Sequence, residues 1–157
     1  MARVVRIEAM GNIAYEHDVI AWSREQARLL REGQWARLDI EHLADEIEDV
    51  GKAESRELAS RMALLIGHLL KWAVQPERRG ASWQRTINEQ RKALRRRIAK
   101  TPSFKAEIID PEWIADAWLD GWTLAMKETG HDFYPEACPW TIQRVLDDDF
   151  WPDHLAD

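Results

Sequence analysis

The chain has 157 residues, of which 45% are hydrophobic and 32% charged, and its net charge is −6. This balance excludes a disordered tail and suits one soluble domain able to bury a core of its own. No apolar run reaches the roughly 18 residues that span a bilayer, because Gly67 and His68 interrupt the block that begins at Met62.

The stretch 1–14 shows no clear period and is expected to be a loosely held arm. It has arginines but no continuous apolar segment, so no signal peptide is expected. Residues 15–157 are expected to form a single α-helical domain. Tyr15 to Arg31 reads as the first helix, with Val19, Trp22, Gln26, Leu29 and Leu30 spaced at three and four. Asp18 and Glu16 favour its positive end, and Gly33 supplies the left-handed residue that commonly closes such a helix.

The stretch from Leu38 to Ala73 is the longest pattern in the chain, with Asp39 as its N-cap. Ile40, Leu43, Ile47 and Val50 start a stripe that Leu58, Met62, Leu65, Leu69 and Trp72 continue in phase. One helix is therefore expected, with Gly51 as a weak point costing about 1 kcal/mol relative to alanine. Its second half is apolar on nearly every face and should be the centre of the fold. Pro76 ends it.

A third helix is expected from a Ser82 cap to Lys100, with the stripe Trp83, Ile87, Gln90, Leu94 and Ile98. Thr101–Pro102 stops it. Ser103 is expected to cap a short turn, and Asp110–Pro111 to start a helix that ends at Gly130. Residues 131–140 read as an aromatic loop, and Thr141 caps a last short helix. Phe150 and Trp151 form a hydrophobic clasp beside Pro152. The class is all-α: a bundle of five to six helices around one long central helix.

Three polar residues, Glu54, Arg61 and His68, recur every seventh position within about 60° of the core stripe. Gln90 interrupts the third helix in the same manner, and Glu46 lies upstream. If the two helices pack together, these side chains form either a hydrogen-bonded register layer or the lining of a small pocket centred on His68. His42 and Glu46 stand at i, i+4 but supply only two metal ligands, and His17 or His131 would have to complete a site. A solvated acidic face is the simpler reading, so no metal and no cofactor is expected. Cys138, the single cysteine, has neither a disulfide partner nor a paired histidine nearby and is expected to be a packed thiol in a cytoplasmic protein.

Charge is segregated. Residues 1–75 carry −3, residues 76–105 carry +8 and residues 106–157 carry −11. The basic third helix presents Arg85, Lys92 and Arg96 as an outer row suited to phosphates. Pairing of the basic segment with the chain's own acidic helices is the simpler expectation, so nucleic acid is not the expected partner. Nine tryptophans are many for this length. Trp22, Trp72, Trp83 and Trp118 sit at core spacing, whereas Trp35, Trp113, Trp140 and Trp151 fall at helix ends or in loops, where aromatic rings favour interfaces.

Several blocks taken together carry a resemblance. They include Tyr15-Glu-His-Asp18 with Trp22, residues 26–33 (QARLLREG), Leu38-Asp39 and Glu46-Ile-Glu48. The block His68-Leu-Leu-Lys-Trp72 follows, then Gln75-Pro76, Ser82-Trp83, Gln90-Arg91, Glu128-Thr-Gly130 and Cys138-Pro-Trp140. With them the chain resembles the bacterial domain-of-unknown-function family twenty-nine from Tyr15 onward. The resemblance implies an all-helical fold, assigns no catalytic residue, and marks Asp18, Glu46, His68, Lys71, Trp72, Gln90 and Arg91 as family positions. The leading functional expectation is a protein–protein interaction module, with a homodimer as one form. A metal- or small-ligand-binding bundle with hydrolytic activity centred on His68 comes second, and nucleic-acid binding through residues 82–100 third.

Overall fold

A computed structural model describes residues 15–132 and 135–155 of the chain. The expected arm over residues 1–14 and the Phe133–Tyr134 pair of the aromatic loop lie outside the described residues. Helix dominates what is described, and no strand occurs among the described residues. The elements are α1 (Val19–Arg31), α2 (Ile40–Val74), α3 (Ala81–Lys100), α4 (Phe104–Glu107), α5 (Pro111–Thr129) and α6 (Ile142–Leu146), with single 3-10 turns at Trp35–Arg37 and Pro76–Arg78. They form two compact units, one ending at Ala53 and the other starting at Glu54.

In the first unit, the Asp18 side chain accepts from the Ala21 amide at 2.9 Å and so fixes where α1 begins. Tyr15, Glu16 and His17 are helical as well, so the expected helix is interrupted at Asp18. Its buried face is Trp22, Gln26 and Leu29, while Val19 and Leu30 are exposed. Gly33 has φ +69°. Its amide and that of Gln34 reach back to the carbonyls of Leu30 and Leu29 at 3.2 and 2.9 Å. Two such bonds satisfy carbonyls that a helix end would otherwise leave unpaired. Asp39 then caps α2, its carboxylate accepting from the His42 amide at 3.4 Å.

α2 is one unbroken helix of 35 residues, and it passes through Gly51. A Cβ added at Gly51 would meet nothing within 4 Å, so this glycine carries only its propensity cost. In the second unit, Leu58, Met62, Leu65, Ile66, Leu69 and Leu70 are fully buried. The all-round apolar segment is thus the centre of the core, and Lys71 is drawn in with it at 4% exposure.

α5 packs on α2 through small residues. A Cβ on Gly67 would stand 3.0 Å from the Gly121 carbonyl oxygen, and one on Gly121 would stand 2.9 Å from the Ala63 oxygen and 2.7 Å from Ile66. The buried residues of α5 are Ala117, Trp118, Gly121 and Ala125. Trp113, Ile114, Trp122 and Met126 are partly buried and pack against the same core, so the helix meets it over a wide arc, while Leu119 and Leu124 are exposed. Asp110 caps it, accepting from the Trp113 amide at 2.9 Å with Pro111 following, and Gly130 closes it at φ +70°.

Two expected caps are absent. α3 begins after Gly80 with Ser82 already inside its first turn, and Ser103 makes no capping bond to α4. Thr141 does cap α6, accepting from Arg144 at 3.2 Å. The C-terminal clasp is present: Trp151 packs on Trp72 with centroids 4.7 Å apart, and Phe150 meets Trp140 at 5.5 Å.

These contacts set opposite outcomes for two glycines. Gly121→Ala should destabilise by about 1–3 kcal/mol, because the new methyl meets backbone that cannot rotate away. Gly51→Ala should stabilise by about 0.5–1 kcal/mol. Urea midpoints of the two variants, measured against the parent chain, check both.

Candidate functional site

The stripe of α2 has two lives. From Leu58 to Trp72 it is core. Yet Ile40, Ile47 and Val50, in the same helical phase, are 64%, 70% and 67% exposed. The stripe is thus open in its first half, where only Leu43 is partly covered. The cause lies on the next face of the helix. Asp39 Oδ2 accepts from Trp22 Nε1 at 3.1 Å and faces His42 Nδ1 at 2.7 Å, and the Gln26 amide oxygen receives the Asp39 backbone N–H at 2.9 Å. The Tyr15 hydroxyl donates to Glu46 Oε1 at 2.9 Å, and its ring lies on His42 with centroids 3.9 Å apart. Burial alone would raise the Asp39 carboxyl, but the bonds from His42 and Trp22 outweigh it and hold that carboxyl below its ordinary value. The residues that α1 grips, His42 and Glu46, lie roughly 130° around the helix from Ile40 and Ile47. Val50 lies on the α1 side of the stripe but a full turn beyond Glu46.

Glu46 thus serves the first unit. In the second unit, Glu54, Arg61, His68 and Gln90 divide into two clusters. Arg61 Nε pairs with Glu57 at 2.8 Å and its Nη1 donates to Gln90 at 3.2 Å. Glu54 is exposed and pairs with Arg97 at 2.8 Å, and Arg97 also reaches Glu57 at 3.5 Å. His68 stands apart. Its Nδ1 bonds the Leu64 carbonyl at 2.9 Å and its Nε2 faces Lys71 Nζ at 3.4 Å, while that ammonium also pairs with Glu128 and lies 5.0 Å from the Trp83 ring centroid. Burial pushes the His68 imidazole below its ordinary value. The Leu64 bond opposes this, Lys71 adds to the downward push, and Glu128 resists it. Two open grooves flank α3, one lined by Glu54, Arg61, Arg96, Arg97 and Lys100, the other by Arg85, Lys92, Arg95, Asp148 and Trp151. His68 lines neither. Among the described residues, no three His, Cys, Asp or Glu side chains converge as metal ligands.

The basic helix is largely turned to the chain's own acids and carbonyls. Arg95 forks onto Asp148 at 2.9 Å, and Arg79, preceding α3, reaches Asp153 at 3.1 Å. Arg85, Lys92 and Arg96 stay exposed on the outer face. Arg91 is completely buried. It donates to the carbonyls of Val145, Asp148 and Phe150 at 2.9, 3.4 and 2.5 Å, and its guanidinium lies 5.2 Å from the Trp151 ring. The sequence reading named Arg91 only as a family position, although its spacing of four from Ile87 and three to Leu94 places it on the core stripe. Of the end-of-helix tryptophans, Trp35 alone among the described residues is fully open at 64% exposure; Trp140 is core at 3%.

Two expectations follow. The folded state favours a neutral His68, so its contribution is complete above about pH 6.5 and is lost as the pH falls below that value, where the unfolded chain takes up a proton the folded chain resists. Melting temperatures recorded from about pH 7 to about pH 5 should therefore fall less steeply for His68→Gln than for the parent. Arg91→Met leaves buried carbonyls unpaired and should cost on the order of 3 kcal/mol, with faster proteolysis around 147–149, while Arg95→Ala should cost under about 1 kcal/mol.

A family model for the domain of unknown function DUF29 matches residues 14–151, and the chain belongs to that family. No curated protein and no solved structure gives a match. No helix among the described residues is long and apolar enough to cross a membrane.

Proposed function

We propose that this DUF29 member is a protein-interaction module that docks a helix of another protein on α2 between Ile40 and Val50. One observation carries the reading: three β-branched side chains at heptad spacing are each more than 60% exposed. Isolated exposed apolar residues need no explanation, but this row has the a/d pattern with which one helix receives another. Covering each side chain contributes about 1.5–3 kcal/mol. Ala44 and Gly51 lie beside the row, so a partner backbone can approach closely, and the open Trp35 stands just upstream of α2. A cytoplasmic setting agrees with Cys138, whose half-buried thiol is pushed up by burial and so is kept protonated.

The competing readings have less support. At His68, Nδ1 is committed to a carbonyl and an ammonium stands beside Nε2, an arrangement poorly suited to a metal or a hydrolytic base. For nucleic acid there remain Arg85, Lys92, Arg96 and Lys100, while Arg79, Arg91, Arg95 and Arg97 are engaged within the chain.

Calorimetric titration with helical peptides carrying Ile/Leu seams, bordered by Lys, Gln or Glu, tests the proposal. At least one should bind. Ile47→Asp should weaken that binding about tenfold, whereas Ile109→Asp, at an equally exposed site in the other unit, should leave it unchanged. Absence of binding by every peptide, or binding indifferent to Ile47→Asp, overturns the reading.

A further inference from the structure

Resting on that reading, we infer that the occupant of the Ile40–Val50 face is a cationic amphipathic helix of another protein, not a second copy of this chain. The borders of the row supply the reason. At about 100° per residue, Glu41 and Glu48 run along one side of Ile40 and Ile47, Glu46 lies on the other side beyond Leu43 and Val50, and Asp49 faces away. Glu41, Glu48 and Asp49 are exposed and Glu46 is partly so. Between Asp39 and Ala53 the chain carries six carboxylates and one cation, Lys52. Lys52 is itself within 3.3 Å of Asp49 and 3.6 Å of Glu48. An apolar track with an acidic rail along one side and Glu46 on the other is thus what a partner meets.

A second copy would bring the same carboxylates together in either orientation, and like charges facing each other across an interface are destabilising. An anionic membrane surface is repelled for the same reason. A helix whose apolar seam is bordered by Lys or Arg satisfies both features: its seam covers Ile40, Ile47 and Val50, and its cations meet the carboxylates at the solvated rim. Rim pairs of this kind are weak one by one, so the seam supplies most of the affinity while the carboxylates set partner choice and encounter rate.

The test uses the full chain and three peptides that share one Ile/Leu seam and differ only in Lys, Gln or Glu at the bordering positions. The Lys peptide should bind about tenfold more tightly than the Gln peptide, and the Glu peptide should not bind. Raising NaCl from about 50 mM to about 500 mM should narrow the Lys–Gln difference, since screening acts on the charges and not on the seam. The double variant Glu41→Gln/Glu48→Gln should weaken the Lys peptide several-fold and leave the Gln peptide unchanged. Equal affinity for Lys and Gln peptides, both lost in Ile47→Asp, retains a docking face but removes the cationic partner. Sedimentation showing a dimer that Ile47→Asp dissolves makes a second copy the occupant and overturns the inference. Binding of the Lys peptide that survives Ile47→Asp is charge attraction without a site and overturns it as well. Binding by none of the peptides, with no dimer, removes the docking reading itself.

Discussion

A helix holds its side chains in fixed register, and α2 holds 35 residues in one register without a break. The stripe that makes core at Leu58, Leu65 and Leu69 is therefore obliged to recur at Ile40 and Ile47 on the same side. What differs along the helix is the covering. From Leu58 on, the stripe meets the apolar faces of neighbouring helices. Before Ala53, Trp22 and Gln26 of α1, with Tyr15 ahead of it, grip the adjacent face and leave the stripe open. Because the Asp39, His42 and Glu46 contacts tie α1 by hydrogen bonds, rotating it toward the stripe would break a buried network for apolar contact alone. The exposed row is thus held open by the polar face beside it.

The second unit depends on close approach and on one buried cation. Gly67 and Gly121 bring two helix backbones together at a point where neither tolerates a methyl. Larger side chains on either side, Ile66 and Trp118 among them, then fill the space around the crossing. Arg91 does for the C-terminal segment what a helix does for itself, supplying donors to the carbonyls of Val145, Asp148 and Phe150 in a stretch with no ladder of its own.

The all-α class, the single long helix and its buried second half were legible because a periodic pattern over many residues leaves little choice. So were the ends at Gly33 and Gly130, where the left-handed backbone asks for glycine. Side-chain caps were less so: Ser82 and Ser103 have the right chemistry, but Gly80 opens α3 two residues earlier and the Ser103 backbone is already helical. The polar heptad was read as one layer. An ideal helix drifts about 20° per heptad, so Glu54, Arg61 and His68 move progressively along the edge of the stripe and meet different partners. What a single sequence could not give is which side of α2 the preceding helix would choose. Periodicity states that a face is apolar; it does not state that anything in the same chain covers it.

Charge completes the picture. The strongly basic α3 and the strongly acidic C-terminal third neutralise each other over short distances, through Arg95 with Asp148 and Arg79 with Asp153. Among the described residues, the carboxylates in the N-terminal half of α2 are met by Lys52 and by hydrogen bonds from Tyr15, Trp22 and His42. Several of these carboxylates are exposed beside Ile40, Ile47 and Val50, with Glu41 and Glu48 along one border of that row. Either feature by itself is common on a protein surface. Their coincidence on a rigid helix gives the face a sign and a direction as well as an apolar seam, and a partner matching all three is selected before contact by the charges and held after it by the seam.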